Sequence, residues 1–285
     1  MFRFIGVVPE ALRGRDDLTF DDLRGEVEQV TGTRVTTVNW FSKYHVHHRV
    51  ADHFRGGRVF LSGDAGHVHS PAGGQGMNTG IGDAVNLAWK LAAVLGGRAD
   101  PVLLDSYEAE RIPFAQSLVR TTDRVFEAFV GRGVFSRTVR SVFLPFVLPI
   151  ALRFSAARRA QFRLVSQVRI AYRESPLSDG SAGEVHAGDR LPWVEGADNF
   201  APLASLGWQV HVHGTAPAAL REYATGVKLP LHEWPWTEAT RRAGLERDAL
   251  YLVRPDGHIG FARREPDVAG LQRYLDRFGV RGPLA

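Results

Sequence analysis

Apolar positions recur at helical spacing in several stretches of the chain. Phe20, Leu23, Val27 and Val30 predict a helix opening at Thr19 as N-cap, with Asp21 and Asp22 in the first turn, where the positive end of a helix favours acids. From Gly82 to Leu95 the stripe Ala84, Leu87, Ala88, Leu91 and Leu95 predicts a second helix, ended by Gly96-Gly97. A third follows Pro101 through Leu103, Leu104, Tyr107 and Arg111, is interrupted at Pro113, and continues to about Val130. Residues from about Arg137 to Tyr172 are again helical. Alternation of period two, or short apolar runs, predicts strands at Phe2 to Val8, Arg34 to Val38, Tyr44 to His47 and Arg58 to Ser62.

A different rhythm begins after Tyr172. The polar run 175–183, rich in Ser, Gly and Asp, reads as a linker, and from Leu191 short strands and helices alternate. Strands are predicted at Trp208 to Val212 and Val227 to Trp234, and helices at Pro217 to Tyr223, Thr237 to Gly244 and Asp267 to Phe278. Leu250 to Val253 and His258 to Ala262 form a hairpin around Pro255-Asp256-Gly257. The fold class is α/β (α+β) with a small C-terminal α/β domain, divided as 1–57, 58–174, a linker at 175–190, and 191–285.

Composition narrows the chemistry. With 285 residues, 44% of them hydrophobic, the chain can bury a sizeable core. It has no cysteine, which excludes disulfides, thiolate metal sites and thiol nucleophiles. A net charge of +4 does not by itself argue for nucleic acid. The charge is uneven, however: nine arginines and no acid lie between Ala128 and Arg173. Arginine stems covering apolar surface on a solvated face is the plainer reading, and a basic face for a partner the other. The apolar run Val142 to Leu152 holds Pro145 and Pro149 and falls short of the roughly 20 residues that span a bilayer. It is expected as a buried helical segment of a cytoplasmic protein, and Met1 to Val8 is too short for a signal peptide.

Residues 58–90, RVFLSGDAGHVHSPAGGQGMNTGIGDAVNLAWK, hold the densest chemistry. A strand ends at Leu61-Ser62, Gly63 turns the backbone, and Asp64 is presented at the strand's carboxyl end, where open α/β sheets bind ligands. A lone carboxylate there suits ribose or polyol hydroxyls. Pro71 stiffens the loop, and Gly73, Gly74 and Gly76 let backbone N–H groups approach a flat ligand. The helix that follows points its positive end at that loop, favouring a negatively charged ligand edge.

GDAGHVHSPAGGQGMNTGIGDAVNLAWKL resembles the flavin-contacting motif of FAD-dependent aromatic hydroxylases, the p-hydroxybenzoate hydroxylase-like group. LLDSYEAERIPFA (103–115) is similar to the helix that follows it there, and LYLVRPDGHIGFA (250–262) resembles the terminal hairpin of the thioredoxin-like domain of phenol- and polyketide-type members. The resemblance covers nearly the whole chain, with residues 1–57 similar to the end of the substrate-binding sheet. It implies part of an FAD-binding and substrate-binding domain followed by a thioredoxin-like domain without cysteines, structural or dimerising in role. It implies that Asp64 binds the ribityl chain and that Pro71, Gly73, Gly74, Gln75, Gly76, Met77 and Asn78 line the isoalloxazine ring. It further implies that the backbone of Gly76 to Asn78 stabilises charge on the reduced ring, with Asp83, Asn86 and Trp89 structural. The implied activity is hydroxylation of an aromatic or polyketide-type ring with NAD(P)H and O2. The flavin carries the chemistry, so no side chain is assigned as catalytic. Trp40 and Tyr44, which are otherwise core residues, are candidates for stacking on the substrate.

Two features depart from that pattern. The G-x-G-x-x-G turn, the ribose-binding acid and the later arginine of such enzymes are not found, and Gly74-Gln75-Gly76 with Gly80 has the wrong spacing. A split enzyme completed by a dinucleotide-binding chain, a truncated reading, and a non-catalytic interaction or dimerisation protein all stay open. His45, His47, His48, His67 and His69 lack carboxylate or thiolate companions at ligand spacing, so no metal is assigned. The expected partners are an aromatic small molecule and a homodimer or separate chain, without nucleic acid or membrane.

Overall fold

The computed structural model describes residues 2–12, 14–45, 47–69, 74–130 and 133–281. Helix α1, Phe20–Thr31, opens at Thr19 as predicted and ends at Gly32, which adopts the left-handed conformation. The Thr19 backbone N–H donates to the Asp22 carboxylate at 2.8 Å. Among the described residues, which leave out Val46 of the expected strand Tyr44 to His47, the strands expected on either side of α1 are not formed. Residues 2–8 and the described residues of 33–47 have no regular structure, because alternation alone cannot hold a strand whose backbone groups find no neighbour. The first strand, β1, is Arg49–Val50, and Arg49 pairs with Val68 of β4, His67–Val68. Between them β2 (Arg55–Gly56) and β3 (Val59–Phe60) form a short hairpin.

Helix α2 runs from Gly76 to Leu95, starting six residues before the predicted Gly82. Its buried side chains are Thr79, Asp83, Asn86, Leu87 and Lys90. The apolar stripe read from the sequence is therefore corrected: Ala84, Ala88 and Leu95 are exposed, and a polar stripe faces inward. After a 3-10 turn at Pro101–Leu104, α3 spans Asp105–Val130 and carries Pro113 without a break. Tyr107, Glu110, Arg111 and Ala115, buried on either side of Pro113, hold both halves in place. Phe54, Leu87, Tyr107 and Ala115 form a small core with Phe60, Leu91 and Ile112, each large side chain contributing roughly 1.5–3 kcal/mol on burial.

Next come α4 (Val134–Thr138), a π-helical segment (Val139–Val147), α5 (Leu148–Ala151) and α6 (Ser155–Val165), after which the helix predicted to Tyr172 has ended. The run Val142 to Leu152, expected to be buried, is mostly exposed: Phe146 keeps 65% and Ile150 58% of its surface. Val134–Ala151 is long and apolar enough to cross a membrane by length and composition.

The C-terminal half is a six-stranded sheet of order β6-β5-β10-β9-β7-β8. Its first strands, β5 (Asp179–Ala182) and β6 (Val185–His186), lie where a linker was expected. Their Asp, Gly and Ser content hid them. β5 is fixed by parallel pairing with β10 rather than by its own side chains. β7 (Gln209–His213), α7 (Ala218–Gly226) and β8 (Leu231–Trp234) make a parallel crossover unit. Helix α8 (Glu238–Arg242), the hairpin of β9 (Leu250–Val253) and β10 (Ile259–Arg263), and α9 (Val268–Arg277) complete it. One face packs Val210, Val212, Leu252 and Phe261 against Leu220, Leu271 and Leu275 of α7 and α9. The other packs Tyr251, Val253 and Ile259 against Leu191, Val194 and the rim of α8. Ala99 and Leu103 from the helical half join the first cluster, so the two halves share a core.

Candidate functional site

The turn after β3 is built as the motif predicts. Gly63 has φ of +61°, a conformation that only glycine takes without strain, and residues Gly63–Ala65 form a 3-10 turn closed by Gly66 N–H donating to Gly63 C=O at 2.9 Å. An ideal Cβ on Gly80 would stand 3.5 Å from Gly63 Cα, so the turn lies directly against the first turns of α2. Asp64, on this turn, is exposed.

At the start of α2 the first helical bond is Thr79 N–H to Gln75 C=O, 3.0 Å. Among the described residues, the N–H groups of Gly76, Met77 and Asn78 have no carbonyl acceptor. The first turn carries no acid that would neutralise its positive end. Met77 is 74% exposed and Asn78 is exposed, whereas Gln75 is buried and its Oε1 accepts from Gln167 Nε2 at 2.7 Å. Gly74 has φ of +62°, and His69 Nε2 lies 3.6 Å from where a Gly76 Cβ would stand. Pro71 and Gly73 lie outside the described residues. The geometry is that of a ligand edge bounded by one carboxylate and a row of backbone donors. It fits a polyol chain joined to a flat ring whose edge accepts hydrogen bonds and carries negative charge.

Asp83 anchors this geometry from below. Its Oδ2 accepts from Gly63 N–H at 2.9 Å and from His67 Nε2 at 2.7 Å, and its Oδ1 accepts from Arg111 Nε at 2.6 Å. Burial acts to raise the Asp83 carboxyl, but these three donors outweigh it and hold the group below the ordinary carboxylate range. Arg111 also donates to Tyr172 Oη at 2.8 Å and to Thr79 C=O at 3.2 Å. Glu110, next to Arg111 in α3, is fully buried and accepts from Asn86, Lys90, Ser175 and both terminal nitrogens of Arg254, at 2.6–3.0 Å. Burial raises Glu110, yet Arg254 and Lys90 pull it far below its usual range, while burial brings Lys90 down to about 8. Arg254 is held in turn by Asp256, whose Oδ2 also accepts from Trp89 Nε1 at 3.2 Å.

The structure therefore brings Asp64, Gly74, Gln75, Gly76, Met77 and Asn78 to one edge. It does not bring the substrate candidates there. Trp40 (72% exposed) and Tyr44 (55%) sit on irregular chain, and among the described contacts neither reaches the Gly63–Asn78 segment. Their neighbourhood packs on α1 and the chain before it, through Phe41 against Phe20 and Lys43 on Asp16. Sequence reading also missed His67, Arg111, Gln167 and Tyr172 as supports. The available signal was the spacing of polar Thr79, Asp83, Asn86 and Lys90, which puts them on one helix face. A crevice of about 540 Å³ lined by Val85, Ala88, Trp89, Leu206 and Trp208 shares no residue with this edge.

Residues 2–122 match the sequence family described as FAD binding domain. The chain is 41% identical over 291 residues to a 6-methylpretetramide 4-monooxygenase of Streptomyces rimosus, covering 89% of this chain and 49% of that protein. It is 48% identical over 294 residues to a putative polyketide hydroxylase of Streptomyces halstedii, covering 90% and 50%. Among solved structures it is similar to CabE, an aromatic hydroxylase from angucycline biosynthesis, with a TM-score of 0.72 at 30% identity, covering 94% of this chain and 55% of that one. By their names these relatives are monooxygenases or hydroxylases of polyketide or aromatic compounds, and the matched domain supports FAD as cofactor. The chain spans about half the length of the curated relatives it matches.

Proposed function

We propose that this chain carries the ribityl- and ring-contacting part of an FAD-dependent monooxygenase that hydroxylates an aromatic or polyketide-type ring with NAD(P)H and O2. The observation that carries the reading is the exposed Asp64 on a turn held against the first turns of α2 by the Gly63–Gly80 contact, where the N–H groups of Gly76 to Asn78 have no acceptor among the described residues. Bound FAD would supply the redox and oxygen-activating chemistry. Asp64 would accept hydrogen bonds from the ribityl hydroxyls. The Gly76, Met77 and Asn78 amides, with the positive helix end behind them, would stabilise negative charge at the ring edge. Pro71 and Gly73 would complete the ring contact, and Trp40 and Tyr44 are offered as stacking surfaces for the substrate. The ADP moiety is proposed to bind a dinucleotide-binding segment, whether on the same polypeptide or on a separate chain. A cytoplasmic location is part of the same proposal.

The C-terminal sheet is read as thioredoxin-like, with a structural or dimerising role. The parallel β7-α7-β8 unit beside the antiparallel β9–β10 hairpin, closed by α9, supports this. Titrating FAD into the purified chain and following flavin fluorescence tests the main reading. Saturable quenching is expected, weakened at least tenfold in Asp64→Ala. Protein that stays colourless and never quenches FAD, alone or co-expressed with a dinucleotide-binding domain, would overturn it.

A further inference from the structure

Asp83 is a single buried carboxylate with three donors from three different places: the Gly63 backbone in the turn, His67 in β4 and Arg111 in α3. It is fully buried, and its side chain and that of Arg111 keep essentially no exposed surface. Such a hub is costly to desolvate and would be weak as a stabilising device by itself. What it does achieve is registry. The Gly63 N–H belongs to the residue immediately before Asp64, so the direction in which Asp64 points is set by where Asp83 holds that amide.

The other end of the hub is fixed as firmly. Arg111 is oriented by Asp83, by Tyr172 Oη and by Thr79 C=O, and Thr79 sits in the first turn of α2 beside the amides of Gly76 to Asn78. The Tyr172 ring meets that of His258 at 4.6 Å, tilted by 40°, and His258 lies in the hairpin of the C-terminal sheet beside Asp256. The Tyr172 backbone N–H donates to Gly188 C=O at 2.8 Å. A continuous set of buried polar contacts thus runs from the C-terminal sheet through Tyr172, Arg111 and Asp83 to the Asp64 turn.

The acceptor demand also fixes the tautomer of His67. Asp83 is ionised and already pairs with Arg111, so His67 serves as an Nε2–H donor to it, leaving Nδ1 buried without a hydrogen-bond partner among the described residues. An asparagine at position 83 offers one oxygen and one NH2 group. It cannot accept from Gly63, His67 and Arg111 together.

We propose that Asp83, clamped by Arg111 and Tyr172, is a positioning residue that sets the Asp64 carboxylate against the amides of Gly76 to Asn78. This rests on the flavin reading of that edge, yet the geometry it claims is present without flavin. The test therefore has two readouts. The first is amide hydrogen exchange of the flavin-free chain. In Asp83→Asn, exchange over Gly63 to Gly66 is expected to rise at least tenfold while β7, β9 and β10 keep wild-type protection. The second is FAD titration, where Asp83→Asn is expected to raise Kd at least tenfold and to alter the absorption band shape of the flavin that still binds.

Asp64→Ala, by contrast, is expected to weaken FAD without changing exchange at Gly63. If Asp83→Asn loses protection throughout, Arg111→Lys takes its place: it keeps the charge but cannot reach Asp83, Tyr172 and Thr79 together, and the same local rise is expected. Wild-type exchange at Gly63 to Gly66 in the folded variant would overturn the proposal, whatever FAD does. A raised exchange with no FAD uptake by any form, wild type included, would leave the positioning claim standing and remove the flavin reading.

Discussion

Glu110 shows how a single residue can join distant parts of the chain. Its two oxygens take five hydrogen bonds, two of them from Arg254, 144 positions away. Two cations, Lys90 and Arg254, face two acids, Glu110 and Asp256, inside the protein. Removing one partner of a buried ionic set leaves the others desolvated without compensation, a larger effect than the set's own net contribution. Glu110→Gln, which keeps the shape and removes the charge, is expected to lower stability by about 3–5 kcal/mol, read as a reduced urea midpoint at unchanged slope. Nothing local in the sequence announced this residue, since a glutamate on a helix is usually a solvated one. The turn residues Gly63 and Asp64 were legible because their signal is contained in consecutive positions. The partners of Glu110 and Asp83 were not, because chain separation carries no pattern.

At the scale of elements, the sequence was legible where periodicity agreed with burial and misleading where it did not. β7, β9, β10, α3 and α9 lie close to their predicted spans because their apolar positions do face a core. Helix α2 was found, but with the wrong face inward, since its polar stripe meets buried partners. The strand β7 carries a further anomaly. Gln209, His211 and His213 share one face, beside His232 and Trp234 of β8 and Tyr251 of β9, and no carboxylate is among them. Burial pushes His211 down to about 3, with His232 and His213 adding to the shift, and burial pushes His213 down to about 4. Unfolded histidine titrates near 6.5, so the unfolded chain takes up more protons than the folded one as pH falls through that value. Stability is therefore fully present above about pH 6.5 and declines below it, by about 1.4 kcal/mol per pH unit for each histidine. The urea midpoint is expected to fall from about pH 7.5 to about pH 5.5 by an amount equivalent to roughly 2–3 kcal/mol. His211→Leu combined with His213→Leu should flatten most of that slope, and an unchanged slope would refute the assignment.

The whole molecule differs from the beads-on-a-linker organisation that the polar run 175–183 suggested. That run reads as a linker because Asp, Gly and Ser have weak strand propensity, but its residues pair with β10, and the pairing partner is remote in sequence. Contacts between the halves are of every kind. Ala99 and Leu103 share a cluster with Leu177, Trp208, Phe278 and Val280. Trp89 meets Trp208 edge-on at 5.6 Å, Asp100 N–H donates to Phe278 C=O at 2.9 Å, and Arg281 N–H donates to Arg98 C=O at 2.9 Å. Around them the Glu110–Arg254 set closes with no exposed surface on either side chain. Separating the halves would uncover apolar area and buried charge at once, so neither half has a low-cost way to open alone. The helices α2 and α3 and the C-terminal sheet are therefore expected to unfold in one transition. Far-UV circular dichroism, which follows all elements, and tryptophan fluorescence, in which Trp89 and Trp208 report the junction, should give coincident urea curves. In Glu110→Gln both curves should shift together. A fluorescence change that precedes the loss of helix and sheet would show instead that the junction opens before the halves unfold.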